Sequence, residues 1–112
     1  MNQATPIEIG KSKRSSILEK TRQRNILKFL NAVPNCIAES RTQTGYGKKG
    51  GADILGCIDG RHFELEVKQP DKHLSPLQEQ WQKRWQACGS IVGRVTDVES
   101  TRATFRQHGV DI

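Results

Sequence analysis

The sequence predicts an α/β domain with a mixed β-sheet and the element order α-β-β-β-α-β-α. Three observations lead to this class. Two short runs of alternating apolar and polar residues flank Asp59-Gly60, which is a strong β-hairpin signal. Amphipathic helix patterns lie before and after the hairpin, and an apolar run over 90–95 follows the second helix. A strand, a helix and a strand in succession favour a parallel crossover, so the sheet should contain antiparallel and parallel pairs.

The bulk composition indicates one basic domain. A chain of 112 residues has room for one modest core but not for two. Its 18 Lys and Arg residues exceed its 12 Asp and Glu residues, which gives a net charge of +6. Such a charge suits a polyanion such as nucleic acid. We expect residues 1–15 to form a flexible basic arm and residues 16–112 to form the domain.

The cysteines and the hydropathy pattern indicate the compartment. Cys36, Cys57 and Cys88 are odd in number and widely spread, which is typical of free thiols in a reducing compartment. The sequence shows no signal-peptide pattern and no apolar run near the ~18–20 residues that span a bilayer. We therefore expect a cytoplasmic protein without a membrane partner.

The first helix is predicted over residues 16–31, and it contains an unexpected carboxylate. Ser16 is a good N-cap, and Glu19 occupies the N3 position of a capping box. Glu19 also falls within the ~120° sector that holds the apolar residues of this helix. It either only closes the capping box or points toward the charged side of the hairpin as a third acidic group. Gln23 follows Glu19 inward, one turn later.

The segment between the first helix and the hairpin is predicted as a strand and a basic loop. Residues 36–44 have the composition of a short strand, and residues 45–51 form a glycine-rich loop. Gly51 stands where a phosphate-binding P-loop requires Lys, so we expect no nucleotide cofactor. The loop either contacts a nucleic-acid backbone or is an ordinary mobile loop. The predicted DNA contacts are Arg41, Tyr46, Lys48, Lys49, Lys72 and His73.

The hairpin, predicted over 52–58 and 61–68, brings two carboxylates together. With Asp59-Gly60 as the turn, Asp53 faces Glu66 across the strand pair. Opposed side chains lie about 4.5–5.5 Å apart at Cβ, and like charges there destabilise the pair unless something cancels them. A divalent cation would cancel them. The alternative is a solvated outer face, on which these charges would have no function.

The second helix has clear start and stop signals. Ser75 is a good N-cap, Pro76 suits the first helical position, and Gln78 completes a capping box. Gly89 ends the helix. The apolar stripe of this helix has a helical period. For the two tryptophans, this period favours packing in the core over a role as surfaces on which nucleic-acid bases stack. The stripe consists of Leu77, Trp81, Trp85 and Cys88.

The last two elements are predicted from an apolar run and a second pair of caps. Residues 90–95 form a strand, and Thr96 with Glu99 caps a helix that ends at Gly109.

The predicted hairpin contains Asp53 and, after twelve intervening residues, Glu66-Val67-Lys68, and the helix before it contains Glu19. This arrangement resembles the PD-(D/E)XK nuclease superfamily. Within it the sequence is most similar to the VRR-NUC (virus-type replication-repair nuclease) domains. The segments Glu19-x-x-x-Gln23 and Leu74-Ser75-Pro76-x-Gln78, with the glycine-rich approach to Asp53, support that match. One departure is Ala52, where that family has proline, which bears on the stiffness of the strand entry.

This resemblance implies a restriction-endonuclease-like core and metal-dependent hydrolysis of DNA phosphodiesters. The expected substrates are branched, such as four-way (Holliday) junctions or flaps in DNA repair. It further implies a homodimer in a bacterial or phage-infected cell. The alternative is a basic DNA-binding module without catalysis on the same fold.

The resemblance also implies roles for the site residues. Asp53, Glu66 and the Val67 carbonyl would hold Mg²⁺ or Mn²⁺, for which oxygen ligands are suited. Glu19 would join them directly or through water. Lys68 would position the attacking water or stabilise charge on the phosphate. Gln78, together with Gln23 behind the site, would orient these groups.

Overall fold

The computed structural model describes residues 11–41 and 52–112, and their side chains from residue 18 onward. The element order predicted from the sequence is confirmed. The helices are α1 (Lys11–Asn31), α2 (Pro76–Ala87) and α3 (Val98–Gln107), and the strands are β1 (Cys36–Ser40), β2 (Ile54–Ile58), β3 (Arg61–Val67) and β4 (Ile91–Val95). Within these ranges, none of the helices combines the length and the apolar character needed to cross a bilayer.

The four strands form one mixed sheet in the order β1-β2-β3-β4. The pairs β1–β2 and β2–β3 are antiparallel, whereas β3 and β4 are parallel, as the predicted crossover requires. Asp59 and Gly60 have φ angles of 48° and 82°, so both central residues of the hairpin turn lie in the left-handed region. This is the type I′ geometry that Asp-Gly favours, and it sets the register in which Leu55 pairs with Glu64.

The apolar core lies on the sheet face that α1 and α3 cover. The side chains buried there are Ile26 and Leu30 of α1, Phe105 of α3, and Phe63, Leu65 and Val67 of β3. Phe63 and Phe105 pack edge to face, with ring centroids 5.2 Å apart. The opposite face contains the even-numbered residues of β3 and is partly covered by α2, whose Trp85 stacks on His62.

The edge strand β1 is anchored to the end of α1 by a side-chain amide. Asn31 accepts a hydrogen bond from the Ala38 N–H at 2.9 Å and donates one to the Ala38 carbonyl at 3.0 Å. The amide thus imitates the backbone of a neighbouring strand. This contact fixes the path of the chain toward Ser40 and Arg41, which border the candidate site.

The start of the first helix differs from the prediction. α1 includes residues from Lys11, so residues 11–15 belong to a helix and not to a flexible arm. Ser16 lies inside α1 and is not its N-cap, and the capping-box interpretation of Glu19 is wrong. The physical reason is that Lys11–Ser15 holds neither Pro nor Gly, so nothing in it stops a helix. The rest of the predicted arm, 1–10, lies outside the described residues.

The caps of the later helices are confirmed in one case and corrected in the other. Ser75 and Gln78 form the predicted capping box of α2, and Gly89 follows that helix with φ +96°. The cap of α3 is Asp97 with Ser100, one residue later than predicted. The carboxylate of Asp97 accepts the Ser100 N–H at 2.8 Å, and a negative charge suits the helix N-terminus better than the Thr96 hydroxyl does.

Two further expectations concern the cysteines and the tryptophans. Cys36, Cys57 and Cys88 are free thiols in the structure, as predicted. The core packing expected for Trp81 and Trp85 is wrong, because no residue of α2, all of which is described, is fully buried. The helix rests on the polar face of a four-stranded sheet, where less apolar surface is available to cover the indoles.

Candidate active site

Asp53 and Glu66 come together at the end of the sheet, as the hairpin register predicts. Ile54 pairs with Leu65, so Asp53, the preceding residue, lies opposite Glu66. The Asp53 carboxylate accepts the backbone N–H of Val67 at 3.0 Å and forms a side-chain hydrogen bond with Glu66. The two carboxyl groups therefore meet within hydrogen-bonding distance, whereas their catalytic role stays a prediction.

Burial determines the state of this acid pair. Glu66 is 4% exposed. Desolvation by burial, followed by the hydrogen bond with Asp53 and the charge of Asp53, raises the pKa of Glu66 to about 9. Without a cation, Glu66 thus holds a proton at neutral pH. The structure is incompatible with the alternative of a solvated outer face, because Glu66 is enclosed.

Glu19 and Lys68 complete the electrostatic environment of Glu66. The Lys68 charge opposes the increase in the Glu66 pKa, whereas the Glu19 charge adds to it, so both groups act on the same carboxyl. The Lys68 backbone N–H donates to the Val95 carbonyl at 2.9 Å, which fixes the end of β3 against β4. The charges of Asp53, Lys68 and Glu19 thus all influence Glu66 at this end of the sheet.

Two polar contacts hold α1 at this end of the sheet. Arg22 donates to the Thr96 carbonyl at 2.8 Å, just after β4. The Ser40 hydroxyl donates to the Gln23 amide oxygen at 3.5 Å, just before β1 ends. Glu19 lies one turn before Gln23, so these contacts keep it on the side of the acid pair. The supporting role of Gln23 in the site stays a prediction.

The donor set fits a hard divalent cation. Its side-chain ligands are carboxylates, the kind of oxygen donor that Mg²⁺ and Mn²⁺ prefer. Over residues 11–41 and 52–112, no three His, Cys, Asp or Glu side chains gather closely enough to hold an ion by themselves. A cation at the Asp53–Glu66 pair would therefore need a main-chain carbonyl such as that of Val67, water and substrate oxygens to complete its shell.

Gln78 has a defined structural contact in α2. Its side-chain amide oxygen accepts a hydrogen bond from the backbone N–H of Ser75 at 2.8 Å, and the backbone N–H of Gln78 donates to the Ser75 hydroxyl at 3.1 Å. The side chain thus closes the capping box at the start of α2. Its orienting role in catalysis stays a prediction.

Arg41 has a buried partner that the sequence did not indicate. Its guanidinium donates to both carboxylate oxygens of Glu64, at 3.1 and 2.9 Å, and Glu64 is 2% exposed. His62 lies 2.8 Å from the same carboxylate. The Arg41 backbone N–H donates to the Asp53 carbonyl at 2.9 Å. These contacts give Arg41 a role in holding the strand beside Asp53, and DNA contact by Arg41 stays a prediction.

Arg94 is a residue near the site that sequence reasoning missed. Its guanidinium donates to the carbonyls of Lys72, Gln69 and Pro70 at 2.7, 3.0 and 3.0 Å. It thereby holds the turn that follows Lys68, on which Lys72 and His73 are exposed. A signal was present in the sequence, since Arg94 is the one charged residue in the apolar run over 90–95.

The glycine-rich loop cannot be placed relative to this site. The predicted DNA contacts Tyr46, Lys48 and Lys49 lie outside the described residues.

Two solved structures share this fold. One, described as a VRR_NUC domain, aligns with a TM-score of 0.63 and 20% sequence identity, over 81% of this chain and 96% of its own. Another, described as a VRR_NUC domain protein, aligns with a TM-score of 0.60 and 12% identity, over 80% of this chain and 86% of its own. No family model and no curated protein matches the sequence. The chain has the VRR-NUC nuclease fold, as its motifs predict.

Proposed function

We propose that the protein is an Mg²⁺- or Mn²⁺-dependent DNA endonuclease that cuts branched DNA such as four-way junctions or flaps. The observation that carries the proposal is the hydrogen-bonded Asp53–Glu66 pair, in which Glu66 is buried and feels the charge of Lys68. A buried acid pair is costly for a fold to keep, because only one of its carboxyls can ionise easily without a cation. The nuclease fold of the chain supports the same conclusion.

The residues divide the work of phosphodiester hydrolysis among them. The carboxylates of Asp53 and Glu66 and the carbonyl of Val67 would hold the ion, and Glu19 would join directly or through water. The ion would polarise a phosphate oxygen and lower the pKa of the attacking water. The Lys68 ammonium would hold that water in line or stabilise the negative charge that develops on the phosphate. Gln78 would orient these groups.

The basic surface would bind the DNA backbone. Lys72 and His73 are exposed on the turn that Arg94 fixes, directly after Lys68. With the predicted contacts Lys48, Lys49 and Tyr46, and with the net charge of +6, they would provide phosphate contacts independent of base sequence. We expect selection by DNA shape, since a two-fold homodimer would present two such sites to a four-way junction.

Cleavage assays test the proposal. Labelled linear, flap and four-way-junction DNA would be incubated with Mg²⁺, Mn²⁺ or EDTA. We expect cutting of the branched substrates with either ion and none in EDTA. Asp53→Ala and Lys68→Ala should each lower the cleavage rate at least about a thousandfold while DNA binding persists. Glu39→Ala removes an exposed carboxylate from the same sheet and should cut normally.

Two results would contradict parts of this proposal. Full activity of purified Asp53→Ala or Lys68→Ala would overturn the site assignment, and junction binding without cutting by the wild type would instead favour a non-catalytic module. A monomeric mass by light scattering at working concentration would contradict the homodimer.

A further inference from the structure

The exposed face of α2 forms an aromatic cleft on the side of the sheet that holds the acid pair. Trp81, Arg84, Trp85 and Cys88 line a cavity of about 190 Å³. The Arg84 guanidinium lies 4.8 Å from the centroid of the Trp81 ring. Trp85 is stacked at 4.5 Å on His62, with an angle of 29° between the rings. The cleft therefore offers indole surface beside a cationic group.

The charges of this cleft indicate the kind of partner that it fits. An apolar protein surface would have to bury the Arg84 charge without a partner, which is costly. Single-stranded nucleic acid provides both complements, because its bases stack on indoles and its phosphates pair with the guanidinium. The net charge of +6 attracts the same polyanion.

The position of the cleft relates it to the acid pair. Trp85 stacks on His62, and Glu66 is four residues further along the same face of β3. At a strand rise of ~3.3 Å per residue, the cleft lies about 13 Å from Glu66. This is close to the length of about four stacked nucleotides at ~3.4 Å each. One strand could therefore occupy the cleft and reach Glu66.

We propose that the cleft of Trp81, Arg84 and Trp85 binds unpaired nucleotides by stacking. The inference rests on the proposed function, since the strand held there would be part of the nuclease substrate. It defines that substrate as DNA with a single-stranded segment a few nucleotides from the cut. Bases of any sequence would be accepted, because every base has a π-face.

Intrinsic fluorescence provides a direct test, because Trp81 and Trp85 are the only two tryptophans in the chain. The full-length protein would be titrated in EDTA with an oligothymidine of about twelve nucleotides and, separately, with a blunt duplex. We expect the oligothymidine to quench the fluorescence and the duplex to quench it much less. Equal quenching by both, or none by the single strand, would overturn the inference.

Matched variants separate stacking from charge. Trp81→Leu should weaken oligothymidine binding about tenfold, whereas Trp81→Phe, which keeps an aromatic ring, should recover most of that loss. Arg84→Gln should reduce the slope of log affinity against log salt concentration by the contribution of about one phosphate contact. Lys83→Gln makes the same charge change on the neighbouring exposed position and should alter binding less than twofold. Equal binding by Trp81→Leu and Trp81→Phe would contradict stacking in the cleft. Equal binding by Arg84→Gln and Lys83→Gln would contradict a phosphate contact of Arg84 in the cleft.

Cleavage and mass measurements distinguish this inference from the proposed function. If Trp81→Leu loses flap cutting but binds oligothymidine with normal affinity, the inference that the cleft binds unpaired nucleotides is overturned. Quenching that depends on Trp81, in a protein that cuts no DNA, would support the cleft and refute the nuclease proposal. A change in oligomer mass in Trp81→Leu, without quenching by oligothymidine, would show that a second copy of the chain covers the cleft and would also overturn the inference.

Discussion

Glu64 and Glu66 lie two residues apart on the same face of β3, at 2% and 4% exposure, and the protein compensates their charges in different ways. Glu64 has partners within the chain itself, since Arg41 and His62 both contact its carboxylate. Glu66 faces another acid, Asp53, and its pKa is raised to about 9. The same residue type in the same strand thus serves two purposes.

The difference separates a structural carboxylate from a site carboxylate. The Glu64 carboxylate is paired within the fold with Arg41, the residue that follows β1. Glu66 has the favourable charge of Lys68 and the opposing charges of Asp53 and Glu19. In the proposed mechanism, a bound cation would give Glu66 a favourable partner. A buried acid beside a second acid is therefore a better candidate for a functional residue than a buried acid that is paired with a cation.

The largest expected effect is on cleavage. Glu66→Gln should lower the Mg²⁺-dependent rate at least about a thousandfold, because a neutral amide cannot replace an anionic metal ligand. Glu64→Gln should stay within about tenfold of the wild type, because the Glu64 carboxylate is already paired with Arg41 and His62. Single-turnover cleavage of a labelled flap measures both rates. Equal losses in the two variants would break the comparison.

The second effect is on stability, and here the order of the two variants reverses. Glu64→Gln removes the carboxylate that pairs with the Arg41 guanidinium, which is 22% exposed. We expect a loss of about 2 kcal/mol in the free energy of unfolding, below the 3–5 kcal/mol of fully buried pairs because solvent reaches Arg41. Glu66→Gln resembles the protonated acid but needs no proton uptake on folding, so it should not lower stability at pH 7 and should raise it. Urea unfolding at pH 7 in EDTA tests this order. A Glu64→Gln variant that is more stable than Glu66→Gln would contradict it.

Much of this comparison follows from the hairpin sequence. Asp59-Gly60 specifies a two-residue turn, and that turn alone places Asp53 opposite Glu66. Local chemistry also specifies the caps of α2, because Ser75, Pro76 and Gln78 act within one turn of the helix. These features involve neighbours in sequence, or strands whose register a turn determines, and they were predicted correctly.

The rest depends on contacts between distant segments. Nothing in the sequence around Glu64 shows that Arg41, which follows β1, reaches its carboxylate, or that Arg94 would hold the turn after Lys68. Competing local signals caused the other differences. Thr96 and Asp97 are adjacent candidate caps, and only the entry angle of α3 decides between them.

A third effect is on the pH dependence of stability, and it should be specific to Glu66. Its pKa rises from 4.5 to about 9 on folding, so the native state keeps a proton that the unfolded chain releases. The stabilisation is therefore complete below pH 4.5 and is lost as the pH rises toward 9. In EDTA, unfolding free energy should fall by up to about 1.4 kcal/mol per pH unit across neutrality.

Denaturation curves between about pH 6 and pH 8 measure this slope. Glu66→Gln should abolish it, whereas Glu64→Gln should keep it. Saturating Mg²⁺ should flatten it in the wild type, because the ion displaces the proton from Glu66. A slope that is unchanged in Glu66→Gln would show that another group titrates.

The smallest effect sharpens the Glu64 side of the comparison. His62→Phe keeps an aromatic ring against Trp85 but removes the contact at 2.8 Å to the Glu64 carboxylate. Arg41 remains, so the carboxylate keeps a cationic partner, and we expect a loss of about 1 kcal/mol, typical of one hydrogen bond. In the Glu64→Gln background the same substitution should cost clearly less, because the two residues share that contact. Equal costs in the two backgrounds, measured by urea unfolding, would mean that His62 stabilises the fold through Trp85 alone.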